Sequence, residues 1–201
     1  MTNNEESIKL DANRRGVPII REESHKILQD LTAKINPKTI LEIGTAVGYS
    51  GILMLSSAED SSLITIEHDI SKVEEARTNF DNAGFSKRAT VIHGDCMEEI
   101  SLMVAEGKHD KYFDMVFLDG PKAQYINMLE SLILMTKSGG YIIADNVLFR
   151  GYVKHKETMP RRFKTIVKRL EMLFETIEKH PDIESHELIE IEDGILVIKI
   201  K

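Results

Sequence analysis

The stretch Thr39 to Ser50, reading TILEIGTAVGYS, constrains the chain more than any other, because it joins a buried strand to a helix through a turn that only glycine permits. Ile40, Leu41 and Ile43 form a short apolar run of the kind found in a strand covered on both faces. Gly44 and Gly48 permit a sharp turn and a close approach of backbone to ligand, and Ser50 opens an apolar helix running through Leu55. A buried strand, a glycine turn and an exposed helix N-terminus make the ligand crevice of an open α/β sheet. The spacing of Glu42, Gly44 and Gly48 is not GxGxxG, and no Lys-Ser/Thr pair follows for a triphosphate. Both departures weigh against dinucleotide dehydrogenases and NTPases.

The rest of the chain alternates strand and helix signals around that turn. At 201 residues and 42% apolar it is expected to form one domain, residues 1–201, with a sizeable core. Residues 1 to about 16 are polar and are expected to start as a helix, frayed or packed on a partner. After the apolar knot Val17 to Ile20, the residues Ile27, Leu28, Leu31 and Ile35 recur at helical spacing until Asn36-Pro37 stops the helix. Leu63 to Glu67 reads as a strand ending in an acid, 23 residues after Gly44. A carboxylate there can accept hydrogen bonds from both hydroxyls of a ribose, or be a solvated strand-end charge. A helix from Ser71 to Ala83 and a strand from Thr90 to His93 lead into Gly94-Asp95-Cys96, where Asp95 is also a good helix cap.

Two further strands, Met115 to Leu118 and Tyr141 to Ala144, end in Asp119-Gly120-Pro121-Lys122 and in Asp145-Asn146. As parallel neighbours they would bring Asp119 and Asp145 to the carboxyl edge that carries Gly44. Asp119, Asp145 and Asn146 then supply three hard oxygen ligands with no cysteine or paired histidine nearby, a set that suits Mg²⁺. The seven histidines show no HExxH pattern, so zinc is not expected. His186 to Ile191 and Ile195 to Ile200 flank Glu192-Asp193-Gly194, a hairpin signal that adds an antiparallel edge to a mostly parallel sheet.

With these residues in place, the run E-I-G-T-A-x-G-Y-S resembles motif I of class I S-adenosylmethionine (SAM) dependent methyltransferases, in the variant of the catechol and caffeoyl-CoA type O-methyltransferases. The resemblance runs from about Val17 to the C-terminus and implies a Rossmann-like α/β fold with a seven-stranded sheet and helices on both faces. It implies that Glu42, Gly44, Gly48, Ser50, Glu67, His68 and Asp119 help bind SAM. It also places Asp95 and Cys96 beside the adenine, and Ile20 over the methionine end; Ile20 as plain core is the alternative. The family's Asp-x-x-Lys motif and the Asp-Asn pair one strand later fall on Asp119 and Lys122, then on Asp145 and Asn146. That implies Mg²⁺ held by Asp119, Asp145 and Asn146, and Lys122 as the catalytic base, with a simple ion pair as its other reading. Gly120-Pro121 departs from the commoner small or aromatic residues of that motif.

A metal site of this kind predicts an acceptor with two oxygens on adjacent carbons, such as a catechol or 5-hydroxyuridine. Net charge is −7, yet Arg150, Lys154, Lys156, Arg161, Arg162, Lys164, Lys168 and Arg169 face only Glu157 between Arg150 and Leu170. Such a stretch fits polynucleotide phosphates or a solvated helix face. Val17-Pro18-Ile19, the run Asp145 to Gly151 and the Arg161-Arg162 helix resemble bacterial tRNA 5-hydroxyuridine methyltransferases, which make 5-methoxyuridine at the wobble position. The expected partner is therefore the tRNA anticodon loop, reached through Arg150 to Arg169. The family suggests a homodimer, for which Met159 to Phe174 offers apolar positions. One cysteine excludes a disulfide framework, and no signal peptide or apolar run of about 18 residues exists, so no membrane and a cytoplasmic location are expected.

Overall fold

A computed structural model describes residues 3–17 and 19–201; Pro18 of the Val17 to Ile19 motif lies outside them. The contacts divide the chain into two compact units, Met1–Glu99 and Ile100–Lys201. In the first, helices α1 (Asn3–Arg15) and α2 (Glu22–Ile35) precede strand β1 (Thr39–Ile43), helix α3 (Tyr49–Ser57), strand β2 (Ser62–Glu67), helix α4 (Ile70–Asn82) and strand β3 (Ala89–His93). Helix α5 (Cys96–Glu106) follows. The second holds β4 (Phe113–Leu118), α6 (Tyr125–Met135), β5 (Thr136–Ala144), α7 (Lys164–Ile177), β6 (Ile183–Ile189) and β7 (Ile195–Ile200). The seven strands are those of the expected mixed sheet: β1, β2 and β3 pair in parallel, β4 pairs in parallel with β5, and β7 runs antiparallel to both β5 and β6.

Each boundary has a local cause. Asn36 takes the left-handed conformation at φ 47° and its N–H caps α2 on Thr32, so that Pro37 follows a completed helix. Asp69 accepts the Ser71 N–H at 2.9 Å and opens α4. Strand β5 begins at Thr136, five residues before the expected Tyr141, because Ser138-Gly139-Gly140 forms a bulge and does not interrupt the strand: the register with β4 shifts between Phe113 and Met115. Gly139 sits at φ 76°, and a Cβ on Gly140 would lie 3.0 Å from the Asp114 carbonyl oxygen.

Helix α1 differs from expectation. It docks on α3 within its own unit, burying Glu5, Ile8 and Ala12, and the buried Glu5 carboxylate accepts the Ser56 hydroxyl at 2.8 Å. Its apolar face is two residues wide, too sparse to stand out in a polar sequence. Helix α3 shows the opposite pattern, buried from Tyr49 through Leu55. It comes close to β2 and α4 because of Gly51: a Cβ there would stand 2.7 Å from the Leu63 side chain and 2.8 Å from the Phe80 ring.

Candidate active site

In the first unit the glycine loop is tied at both ends. Gly44 at φ 95°, Ala46 at φ 45° and Gly48 at φ 81° all lie in the left-handed region. A Cβ on Gly48 would also press on the Phe80 ring at 3.2 Å, so glycine is required there twice over. The Gly44 N–H donates to Ile66 at 3.0 Å. Helix α3 begins at Tyr49, one residue before the expected Ser50, and Gly48 gives its N-terminus no side-chain cap. The first-turn N–H groups thus have no partner inside the helix, an arrangement suited to polar atoms of a ligand.

Two carboxylates flank that loop in different ways. Glu42 is fully buried and accepts the hydroxyls of Ser50 and, at 2.7 Å, Thr65. Because the Thr65 proton is spent on Glu42, the 2.6 Å contact between Thr65 and Thr45 must be donated by Thr45. Glu42 and Ser50 are therefore brought together, as members of a hydroxyl relay that locks β1, β2 and α3. Glu67, 8% exposed, accepts the Ala46 N–H at 2.9 Å on Oε2 and the His68 and Asp69 N–H groups, both at 3.0 Å, on Oε1. The exposed His68 ring adds Nδ1 at 3.0 Å to Oε1. Oε1 is saturated and Oε2 retains one lone pair, so Glu67 can take one ribose hydroxyl as it stands, and a second only by displacing an N–H.

Asp95 caps α5, accepting the Met97 N–H at 2.8 Å. Cys96, next to it, is buried, and burial followed by the Asp95 charge pushes its thiol above the usual range, so it offers an apolar wall and not a nucleophile. Ile20 is buried at 5% exposure.

In the second unit Asp119 directly follows β4 and Asp145 directly follows β5. Pro121 opens a short 3₁₀ turn, Lys122–Gln124, which folds Lys122 back so that Nζ donates to Asp119 Oδ1 at 2.8 Å. The unusual Gly120-Pro121 pair thus serves the turn. Asp145 is only 1% exposed, and its carboxyl is pushed up to about 7, first by burial and then by the neighbouring Asp119, against the Asn146 N–H and Lys122. Tyr125, which the sequence reading did not single out, sends its hydroxyl to the Leu118 carbonyl at 2.9 Å and the Asp145 carbonyl at 3.4 Å, pinning the two strand ends together. An aromatic three residues past Lys122 and opening an apolar helix was the available signal.

Comparison with known proteins settles the family. A sequence model of the O-methyltransferase family matches residues 6–201. The chain belongs to that family. A catechol O-methyltransferase of Niastella koreensis is 34% identical over 64% of this chain and 58% of its own length. A caffeoyl-CoA O-methyltransferase of Petroselinum crispum is 30% identical over 68% of this chain and 57% of its own. The chain thus spans somewhat under three fifths of the length of these relatives. The crystal structure of a Bacillus cereus O-methyltransferase in complex with SAH covers all of this chain and 92% of its own at a TM-score of 0.88 and 23% identity, which shows the shared fold.

No group of three or more His, Cys, Asp or Glu that could hold a metal ion exists among the described residues, so a hard divalent cation would have to rest on fewer carboxylates and an amide. The set is two carboxylates and an amide, Asp119, Asp145 and Asn146, all oxygen donors. Burial, ahead of the Asp119 charge, raises the Asp145 carboxyl, and a cation beside it would favour its ionised form. The basic stretch is not one helix: Arg161–Phe163, expected as helix, is a 3₁₀ turn opened by Pro160, and α7 starts only at Lys164. Several of its charges are engaged: Lys154 pairs with Glu190, Lys156 with Glu171, and Arg169 donates to the Ala123 carbonyl at 3.0 Å. No helix among the described residues is long and apolar enough to cross a membrane.

Proposed function

We propose that the protein is a SAM-dependent, Mg²⁺-dependent O-methyltransferase of the catechol type, acting on one hydroxyl of an acceptor with two oxygens on adjacent carbons. The observation that carries this reading is the second unit's set of Asp119, Lys122, Asp145 and Asn146, in a chain of the O-methyltransferase family. Asp119, Asp145 and Asn146 would hold the cation through their side-chain oxygens. When bound, the cation supplies Lewis-acid stabilisation of the ionised acceptor hydroxyl. Lys122 takes the hydroxyl proton on Nζ, for which it must first be neutral, and its present partner Asp119 is the group that holds it in reach. The acceptor oxygen forms its bond to the SAM methyl as the methyl–sulfur bond breaks and the sulfonium becomes a thioether. For SAM itself we assign Gly44, Gly48 and Ser50 at the glycine turn, Glu67 and His68 at the ribose, Asp95 and Cys96 at the adenine, Ile20 at the methionine end, and Glu42 as the anchor of the turn.

A second reading keeps the same site and takes 5-hydroxyuridine in the tRNA anticodon loop as acceptor. It is supported by the exposed Arg150, Arg161, Arg162, Lys164 and Lys168. The relatives named for catechol and caffeoyl-CoA favour the first. The test is to incubate the protein with SAM and Mg²⁺, offering a catechol or tRNA bearing 5-hydroxyuridine, and to follow methyl gain by mass spectrometry with and without chelator. Chelator-sensitive methylation of the catechol, insensitive to salt, supports the proposal. Gain on tRNA alone, falling steeply with salt, transfers the function to the second reading. No gain on either, or gain that survives chelation, refutes the metal-assisted chemistry.

A further inference from the structure

The loop that carries Asp145 and Asn146 has an unusual backbone. Asn146 at φ 56°, Phe149 at φ 44°, Arg150 at φ 58° and Gly151 at φ 75° are all left-handed, and three of them are not glycine. Such a run persists only where the surroundings over-determine it. The surroundings are the β6–β7 turn. The Val147 N–H donates to the Gly194 carbonyl at 3.1 Å, and the Leu148 N–H to the Asp193 carbonyl at 2.7 Å. The Arg150 N–H donates to Asp193 Oδ1 at 3.0 Å. Gly194 lets Leu148 lie on the turn: a Cβ there would meet the Leu148 side chain at 2.6 Å. Turn and loop thus share three hydrogen bonds and one close contact, all immediately after Asn146.

We infer that Asp193 is a positioning residue for the acceptor site, its side chain and carbonyl acting as a template that fixes the Asp145–Asn146 loop. The inference rests on the proposed function for the identity of that site. It assigns a task to the C-terminal hairpin beyond closing the sheet edge. The side chain works as a hydrogen-bond acceptor to Arg150 N, so its charge is dispensable and its oxygen is not. Asparagine, with an acceptor oxygen in the same place, should therefore replace it, and alanine should not.

The experiment compares Asp193→Ala and Asp193→Asn with the wild type by amide hydrogen exchange resolved over residues 145–152, by SAM titration and by steady-state kinetics with a catechol acceptor. In Asp193→Ala, exchange should rise at the Leu148 and Arg150 amides while β5 and β7 stay protected. Turnover should fall about tenfold to a hundredfold, the cost of misplacing a reacting group by about 1 Å. SAM affinity should stay within about twofold, and Asp193→Asn should restore both exchange and turnover. Unchanged exchange in Asp193→Ala overturns the inference, as does an equal loss in both variants. If the wild type methylates no catechol, the proposed function fails, and the exchange pattern still decides whether Asp193 holds the loop.

Discussion

Lys122 lends itself to a substitution that separates its two possible tasks. Its ammonium lies 2.8 Å from Asp119 Oδ1, with the two side chains 16% and 22% exposed. A partly exposed pair of this kind contributes about 0.5 to 1 kcal/mol. For a chain of 201 residues that corresponds to a Tm change of only about 1 to 4 °C. A general base, in contrast, is worth about 10² to 10⁴ in rate, or roughly 3 to 5 kcal/mol of barrier. Arginine keeps the positive charge and can still pair with Asp119, yet it does not give up its proton in a protein. Lys122→Arg should therefore hold Tm within about 2 °C and SAM affinity within about twofold, while turnover falls at least about a hundredfold. Lys122→Ala should lose turnover similarly and Tm slightly more. Thermal melts, SAM calorimetry and rates of methylated product measured on the three proteins decide the matter. If Lys122→Arg keeps more than about a tenth of wild-type turnover while Lys122→Ala does not, the lysine only balances Asp119 and the base assignment is refuted.

Two other groups give separate tests. In Glu67→Gln an amide NH₂ must face backbone N–H donors in either orientation, since both carboxylate oxygens accept from the backbone. Losing a charge-assisted hydrogen bond costs about 1.5 to 3 kcal/mol, so SAM should bind roughly 10 to 150 times more weakly by calorimetry, and an unchanged affinity would remove Glu67 from the cofactor site. His25 is buried, with Nδ1 3.1 Å from the Tyr49 hydroxyl, and burial holds its pKa below the ordinary value of 6.5, opposed by a Gln29 hydrogen bond and by Glu22 and Glu5. Below pH 6.5 the unfolded chain therefore binds the proton more readily, so His25 stabilises fully above that pH and progressively less as pH falls toward its folded pKa. Urea melts of wild type and His25→Gln between pH 5 and 8 should show the wild type losing more stability on the acid side; parallel curves would show that His25 titrates alike in both states.

What the sequence disclosed followed from chemistry carried by single residues. Glycines at φ 95° and 81° could be inferred because no other residue takes that turn cheaply, and the acid ending β2 because its strand and spacing are local signals. The Asp119 and Asp145 strand ends were legible for the same reason. What stayed hidden depends on partners distant in sequence. The use of Gly51 is visible only when Leu63 and Phe80 arrive beside it, and Tyr125 matters only because two carbonyls converge on its hydroxyl. The burial of α1 rests on Glu5 meeting Ser56, 51 residues away. No periodicity announces any of these.

The basic stretch shows how a charge count and a charge distribution part company. Counted along the chain, Arg150 to Leu170 carries eight cationic residues against one acid. In the fold, Glu190 from the β6–β7 connection and Glu171 from α7 return to Lys154 and Lys156, and Arg169 is spent on a backbone carbonyl. Arg150 and Arg162 lie over the Phe163 ring, at 5.4 and 4.7 Å, which directs them at an aromatic cluster. A polynucleotide binds such a surface by releasing counterions from its phosphates, and each cation already neutralised by a carboxylate releases fewer. Pairing of Lys154 and Lys156 thus lowers the electrostatic gain open to an RNA. The vicinal-oxygen acceptor proposed from Asp119, Asp145 and Asn146 does not depend on that pairing. The proposed acceptor chemistry therefore rests on the oxygen donors, which would serve a small catechol without any help from the cations.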